Sequence, residues 1–376
     1  MKNIIEATFI ERINRFVVKC EYKGEIIYAY LANPGRLWEL LVEGRKVLLK
    51  YQDKDSRKYK FSCFSIVDSS HLILLDTHYN NVVAEKLINN NMIEELKDYN
   101  IESKECSFGK SRFDFLLKCG NKRLILEVKS STLYYDKLAM FPDAPSKRAT
   151  KHIYELARLA GNGCKTAILF LAYSPNVKYF LPEFNVDIDF AHAFYDSRER
   201  ILFFAYTVNN FSMFPNKLDI SKIGIPLELL KDRIVDKGSY LLVLKLNVEG
   251  EILIGKLGEI FFKKGYYVYI GSAMNSLTKR INRHKRKRKN KHWHIDYFIE
   301  YAKFLKSFAI RETRRYECSL ASRVKKIAKG EINNFGSSDC SCTSHLFYFK
   351  ENPLHNKMFI DIILYYRMGK IVELLN

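Results

Sequence analysis

Two carboxylates and a lysine stand close together in the stretch FDFLLKCGNKRLILEVK, residues 113–129. If Gly120 and Asn121 are the central residues of a two-residue turn, partners across the hairpin have numbers summing to 241, so Asp114 faces Glu127. Opposed side chains sit ~5 Å apart at Cβ. At an effective dielectric of 20, two negative charges at that range repel by ~3 kcal/mol. A divalent cation, Mg²⁺ or Mn²⁺, prefers carboxylate oxygens and turns this repulsion into attraction. Lys129, two residues on and on the same face, would hold a hydroxide or stabilise charge on a phosphoryl oxygen. These are the parts of a metal-dependent phosphodiesterase. The competing reading is a solvated sheet face on which Arg112 and Lys129 pair diagonally with the two acids.

The other face of this hairpin carries Phe113, Phe115, Leu117, Leu124, Leu126 and Val128, an apolar set belonging in a core. Residues 1–78 read as short alternating strands of a small barrel, with a hairpin about Lys23-Gly24 and strands at RKVLLKY and KYKFSCFSIV. Residues 79–210 alternate strand and helix: helices at NNVVAEKLINNN, SKRATKHIYELARLAG and DIDFAHAFYD, and strands at KTAILFLAY and ILFFAYTV, which is the pattern of a layered α/β unit. Residues 211–236 lose periodicity and hold two prolines, so a linker is expected there. Residues 237–376 start a third unit, with a hairpin over SYLLVLKLNVEGEILIGKL, a strand at GYYVYIGSA and a basic helix at SLTKRINRHKRKRKNKH. The class is therefore α/β and α+β multidomain.

The chain has 376 residues and a formal net charge of +20, which calls for a polyanionic partner, nucleic acid before membrane. Residues 236–376 hold 27 Lys+Arg against 13 Asp+Glu, or +14, leaving +6 for the rest. No apolar run is long enough to span a bilayer, and the N-terminus lacks the pattern of a signal peptide, so a cytoplasmic protein is expected. Its 8 cysteines are too scattered for a disulfide framework and are expected reduced. A homodimer is compatible with the sequence, but no feature argues for one.

The segments LANPGRLWELL, KSRFDF, LEVKSSTL and FPDAPSKRATKHIYEL resemble the sugar fermentation stimulation protein A family, over roughly residues 3–210. The resemblance implies an OB-like barrel joined to a PD-(D/E)xK-like nuclease domain that binds DNA. Asp114 and Glu127 would take the metal-binding places and Lys129 the catalytic one. Pro145-Ser146, Ala149 and Tyr30 depart from the family's usual residues, which bears on substrate fit. In the helix after Pro142, Arg148, Lys151 and His152 share a face by spacing and could reach phosphates, or could simply be solvated. Glu105 is a weaker third oxygen ligand. In the barrel, Arg12, Arg15, Arg36, Arg57 and Lys58 lie beside aromatic residues, which would suit nucleic-acid backbone binding.

In the C-terminal third, GSY at 238–240 and YIG at 269–271 resemble the paired tyrosine motifs of GIY-YIG endonucleases, and Arg280 and His284 match the arginine and histidine that follow. The resemblance implies that Tyr240 and Tyr269 position or deprotonate water, that Arg280 braces a phosphate, and that Glu317, with Glu312 as competitor, holds a divalent ion. Without it, the tyrosines are ordinary strand residues in a core. Eight of the twelve residues 280–291 are Lys or Arg and none is acidic, so Arg283, Lys285, Arg286, Lys287 and Arg288 are expected on phosphates; if about six of the eight meet phosphates, the salt slope would be near −5. Cys340, Cys342 and His345 could bind Zn²⁺, but the spacing shows no fourth ligand. HWHID, with His292, His294 and Asp296, reads as a helix start near the phosphate site. The expectation is a nucleic-acid phosphodiesterase with two candidate sites; the alternative is a non-catalytic DNA-binding regulator of sugar-utilisation genes.

Overall fold

The computed structural model describes residues 3–52, 58–68, 71–209, 219–286 and 289–375. The chain divides into two compact units, Met1–Glu183 with Asp189–Lys231, and Phe184–Ile188 with Asp232–Asn376. The first unit begins with strands β1 (Ile4–Asn14), β2 (Val17–Tyr22), β3 (Glu25–Leu31), β4 (Lys46–Tyr51), β5 (Phe61–Asp68) and β6 (His71–Leu74). They run in the order β3-β2-β1-β4-β5-β6, and parallel pairing of β3 with β5 closes five of them into an OB-like barrel. The β2–β3 turn places Lys23 at φ +52 and Gly24 at φ +84, the two left-handed positions of a tight hairpin. Val18, Cys20, Ala29, Leu31, Val47 and Leu49 point inward at alternate positions and are fully buried.

Helix α1 (Thr77–Asn89), capped by Asp76, leads into a mixed sheet. Its strands are β7 (Asn100–Phe108), β8 (Ser111–Cys119), β9 (Lys122–Ser131), β12 (Lys165–Ala172), β14 (Leu202–Asn209) and β15 (Asp219–Ile223), in the order β15-β14-β12-β9-β8-β7; between them come β10 (Leu133–Tyr135), β11 (Leu138–Phe141) and β13 (Tyr179–Pro182), which form a small second sheet. Strands β9, β12 and β14 are parallel, so each must return by a crossover. Helices α2 (Lys147–Gly161) and α3 (Ile188–Asp196) lie in those crossovers. One face of the sheet joins the barrel and α1 in a common core through Phe115, Leu117, Leu126, Leu169 and Phe204. On the other, Phe170 stacks on Phe180 with ring centroids 4.1 Å apart.

In the second unit, β16 (Gly238–Leu246), β19 (Gly265–Ala273), β20 (Lys303–Arg311), β21 (Gly330–Glu331) and β22 (Leu346–Phe349) form a sheet in the order β20-β16-β19-β22-β21, while β17 (Gly250–Leu253) and β18 (Glu259–Phe262) pair only with each other. Helices α4 (Leu277–Lys285), α5 (His294–Phe298), α6 (Glu317–Lys325), α7 (Lys357–Leu364) and α8 (Lys370–Leu375) complete it.

Two expectations are corrected here. The stretch 211–236 is not simply a linker: β15 adds an antiparallel edge strand to β14, with Ile223 opposite Ala205, and the unit boundary falls after Lys231. Its residues 211–218 lie outside the described residues. Nor do β16 and β17 form a hairpin, because the partners of β16 are β19 and β20; nine residues buried but for Lys245 need a neighbour on both edges. Among the described residues, no helix is long and apolar enough to cross a membrane, and all eight cysteines are free.

Candidate active sites

The β8–β9 hairpin takes the expected register, from Cys119 opposite Lys122 to Phe115 opposite Leu126. Gly120 adopts φ +56 at the first position of the turn, which is what a two-residue loop asks of it. The ladder stops one residue before the acids would pair. There Asp114 Oδ2 accepts the backbone N–H of Val128 at 2.7 Å, and Oδ1 accepts from Asn81 Nδ2 of α1, also at 2.7 Å. The carboxylate thus replaces a ladder bond and splays the strands, and Phe113 turns edge-on to His152 of α2. Both acids remain beside each other, Asp114 half-buried and Glu127 at 2% exposure.

Glu127 Oε1 is held by the Lys129 ammonium and by His152 Nδ1 at 2.7 Å. Glu127 Oε2 is buried without a hydrogen-bond partner. Burial pushes the Asp114 carboxyl up to about 6, with the neighbouring Glu127 charge adding to it. Burial would raise Glu127 as well, but Lys129 and His152 outweigh it and hold that carboxyl below its usual value. Arg112 takes no part: its Nε pairs with Glu105 at 2.8 Å on the surface, which removes both the diagonal pairing expected of Arg112 and Glu105 as a ligand. His152 is corrected too. It is buried in the apolar stripe Ala149, Ile153, Leu156 and Ala157 of α2 and serves Glu127, while Arg148 and Lys151 of the same helix are exposed. That stripe was the signal by which the sequence could have shown it.

In the second unit, β16 and β19 set Leu242 opposite Tyr269 and Tyr240 opposite Gly271. The Tyr240 and Tyr269 rings lie 6.3 Å apart. Tyr240 OH is 2.9 Å from His284 Nε2, and His284 Nδ1 is 3.6 Å from Asp296 Oδ1. Burial drives both phenols above their ordinary range and lowers His284, so the tyrosines stay protonated and Tyr240 donates to a neutral imidazole. Of the two roles expected of the pair, positioning water or deprotonating it, a protonated phenol suits the first. Arg280 lies over the Trp293 ring at 4.0 Å and its charge acts on the Tyr240 phenol. Glu317 Oε2 accepts from Ser272 Oγ at 2.5 Å, and Oε1 lies 3.2 Å from His345 Nδ1. Its competitor Glu312 is taken up by Arg233 at 2.8 Å.

Models of the "SfsA N-terminal OB domain" and the "Sugar fermentation stimulation protein RE domain" match residues 10–75 and 78–211, and DUF123, a domain of unknown function, matches 239–366. A sugar fermentation stimulation protein homolog of Methanothermobacter thermautotrophicus is 36% identical over 193 residues, covering 51% of this chain and 80% of the relative. One from Clostridium botulinum is 38% identical over 200 residues, covering 53% and 87%. The chain belongs to the sugar fermentation stimulation protein family. A solved relative, Pyrococcus furiosus SfsA in complex with Ca²⁺, has a TM-score of 0.55 and 28% identity and covers 60% of this chain and 96% of its own. This family member therefore carries a DUF123 domain in addition to the two family domains.

The remaining residues of this SfsA-family chain sort by burial. Arg36 is exposed with its guanidinium 5.5 Å from the Trp38 ring. Arg12 is structural, since it donates to the carbonyls of Arg15, Asn33, Gly35 and Arg36 and so ties the barrel loop together. Gly35 has to be glycine there: a Cβ would run into the Asp143 carboxylate. In the basic run, α4 ends at Lys285; Lys285 and Arg286 are exposed, and Lys287 and Arg288 lie outside the described residues. Arg283 is corrected. Its Nη1 and Nη2 bind Asp296 at 2.9 and 3.0 Å, and Lys289 Nζ joins at 3.1 Å. Asp296 is fully buried and also accepts from the backbone N–H groups of His292 and Trp293. Burial would raise its carboxyl, but His284, Arg283 and these N–H groups hold it far below the usual range. The run that looked unbalanced is in part closed by an acid from the next helix.

Proposed function

We propose that the first unit is a divalent-metal-dependent phosphodiesterase acting on nucleic acid, DNA before RNA, with Asp114, Glu127 and Lys129 at its centre. The observation that carries this reading is Glu127 Oε2, buried beside a second carboxylate and without a partner. A buried acceptor left unmade costs about 1–3 kcal/mol, and an oxygen donor pair of this kind fits Mg²⁺ or Mn²⁺. The Ca²⁺ carried by the solved relative supports the same assignment. Asp114 and Glu127 would hold the ion, which when bound lowers the pKa of a water and polarises a phosphoryl oxygen.

The chain's own groups do the rest. Asn81 and the Val128 N–H orient Asp114, and His152 fixes Glu127 so that Oε2 stays open. Lys129, with its side chain 18% exposed, keeps two of its three N–H donors available for a phosphodiester oxygen or the attacking hydroxide. Exposed Arg148, Lys151 and Arg36 offer cationic groups for the phosphate backbone.

The second unit is proposed as a GIY-YIG-like phosphate site, in which Arg280 braces a phosphate and the Tyr240–His284–Asp296 chain fixes the phenol proton. Glu317 would be its carboxylate toward a divalent ion, although both its oxygens already serve Ser272 and His345.

The test is a cleavage panel: single-stranded, duplex and branched DNA, and RNA, with Mg²⁺, Mn²⁺ or chelator, against wild type, Lys129→Ala and Glu317→Ala. Metal-dependent cleavage lost in Lys129→Ala is the expected result. Gel shifts on every substrate without cleavage under any condition would support the regulator instead.

A further inference from the structure

Three thiols and an imidazole converge in the second unit. Cys318 is the second residue of α6, Cys340 and Cys342 lie in the loop from β21 to β22, and His345 directly precedes β22. Their Sγ atoms and ring nitrogen all lie within 4.8 Å of one another, and Cys340 Sγ is 3.5 Å from His345 Nε2. With Zn–S and Zn–N bonds of about 2.3 and 2.0 Å, tetrahedral ligand atoms are separated by roughly 3.3–3.8 Å. A shift of about 1 Å at the widest pair closes the shell.

The second nitrogen of the histidine gives independent support. His345 Nδ1 faces Glu317 Oε1 at 3.2 Å, and a carboxylate on one ring nitrogen fixes the tautomer that presents the other nitrogen's lone pair to a metal. The loop offers a structural reason. Residues 332–345 contain no helix or strand, and are tied down at their end where His345 N–H reaches Phe335 O at 2.8 Å. An irregular connection of that length in a compact unit needs something to order it. Thiolate and imidazole are soft donors that select Zn²⁺ over the hard Mg²⁺ and Mn²⁺ proposed elsewhere in the chain.

We propose that Cys318, Cys340, Cys342 and His345 bind one Zn²⁺ in a closed structural site, with Glu317 as the carboxylate partner of the ligating histidine. The site stands independently of catalysis at either centre. On binding, three thiols release their protons to solvent, leaving three thiolates and one neutral imidazole on the ion, a net charge of −1. The carboxylate beside the tyrosine pair is then fixed from behind by the zinc-bound ring, so Glu317 becomes the link between the metal and the candidate phosphate site.

The full chain, purified without chelator, should carry one zinc per molecule by elemental analysis, and a mercurial thiol reagent should release it. Co²⁺ in its place should give tetrahedral d–d bands with thiolate charge transfer. Cys318→Ser and Cys342→Ser should each abolish stoichiometric zinc, and Cys164→Ser, an exposed cysteine of the first unit, should keep it. Wild-type alkylation kinetics give a readout that no folding defect can mimic: Cys318, exposed in the fold, should resist alkylation until chelator is added, while Cys164 reacts at once. Glu317→Gln should weaken zinc binding about 10–100-fold. Zinc-free folded protein whose Cys318 alkylates as fast as Cys164, or a disulfide joining two of the three cysteines, would overturn the proposal.

Discussion

Asp296→Asn tests whether the basic run is built around an internal anion or left open for an external one. Asp296 is fully buried, and Arg283, Lys289 and two backbone N–H groups converge on its oxygens within 3.1 Å. At 3 Å and an effective dielectric of 20, each cation contributes about 5 kcal/mol of gross attraction, most of which is spent on desolvation. Removing the anion alone leaves two poorly solvated cations uncompensated, which costs about 3–5 kcal/mol. For a unit of this size that is a fall in midpoint of roughly 10–20 °C. The chain has two tryptophans, Trp38 in the first unit and Trp293 in the second, so fluorescence-detected unfolding in a Trp38→Phe background reads the second unit alone. The carboxyl is held far below its ordinary value, so its contribution is complete above about pH 4 and is lost only in stronger acid. If the variant melts within about 1 °C of its parent at pH 7, Asp296 is not the hub, and Arg283 and Lys289 are free for phosphate after all.

The same geometry lowers the salt dependence expected of nucleic-acid binding. With Arg283 and Lys289 on Asp296 and Lys291 on Glu300 at 2.8 Å, at most five of the eight cations are left, two of them (Lys287 and Arg288) outside the described residues, so the slope of log K against log salt should be no steeper than about −4.5. Lys285→Ala and Arg286→Ala should each flatten it by about 0.9 and Lys291→Ala should not, as read by fluorescence anisotropy from low to moderate salt. In the first unit, burial and Asp143 push the half-buried Glu39, whose Oε1 is shut from solvent, up to about 8. A raised folded value means stability present below about pH 4.5 and lost as pH rises to 8, so Glu39→Gln should be neutral at pH 4.5 and stabilise by at most about 3 kcal/mol at pH 7; equal gain at both values would contradict this. His152→Ala should destabilise by about 2–3 kcal/mol through the loss of a buried charged hydrogen bond, whereas a phosphate-facing histidine would leave denaturant unfolding unchanged.

What the sequence made legible was whatever the backbone period carries. The β8–β9 register followed from Gly120-Asn121, because the period of two leaves one register that buries Leu117, Leu124 and Leu126 together. Helices α1 and α2 followed from apolar spacing, whereas their caps, Asp76 and Ser146, are features of the folded chain. The elements misread were those whose local pattern is silent about partners. Strand β15 is short and polar, and β17 has the alternation of a hairpin arm yet pairs with β18, a choice made by tertiary contacts.

The site residues divide on the same line, and the division explains the errors as well as the successes. Asp114, Glu127 and Lys129 share one hairpin, so their proximity is a consequence of register. Groups that arrive from another element carry no such mark: Asn81 from α1, Asp296 from α5 and Cys318 from α6 become neighbours only when the chain has packed. Charge amplifies the error, because a run of lysines and arginines looks unbalanced whenever its anion lies outside the window being read. Asp296 lies just beyond that window, between Ile295 and Phe298, both fully buried. A single acid set among core positions is costly unless cations come to it. The cations nearest in sequence are those of the run itself, so the same two observations that suggested an outward-facing phosphate surface also required that some of it face inward.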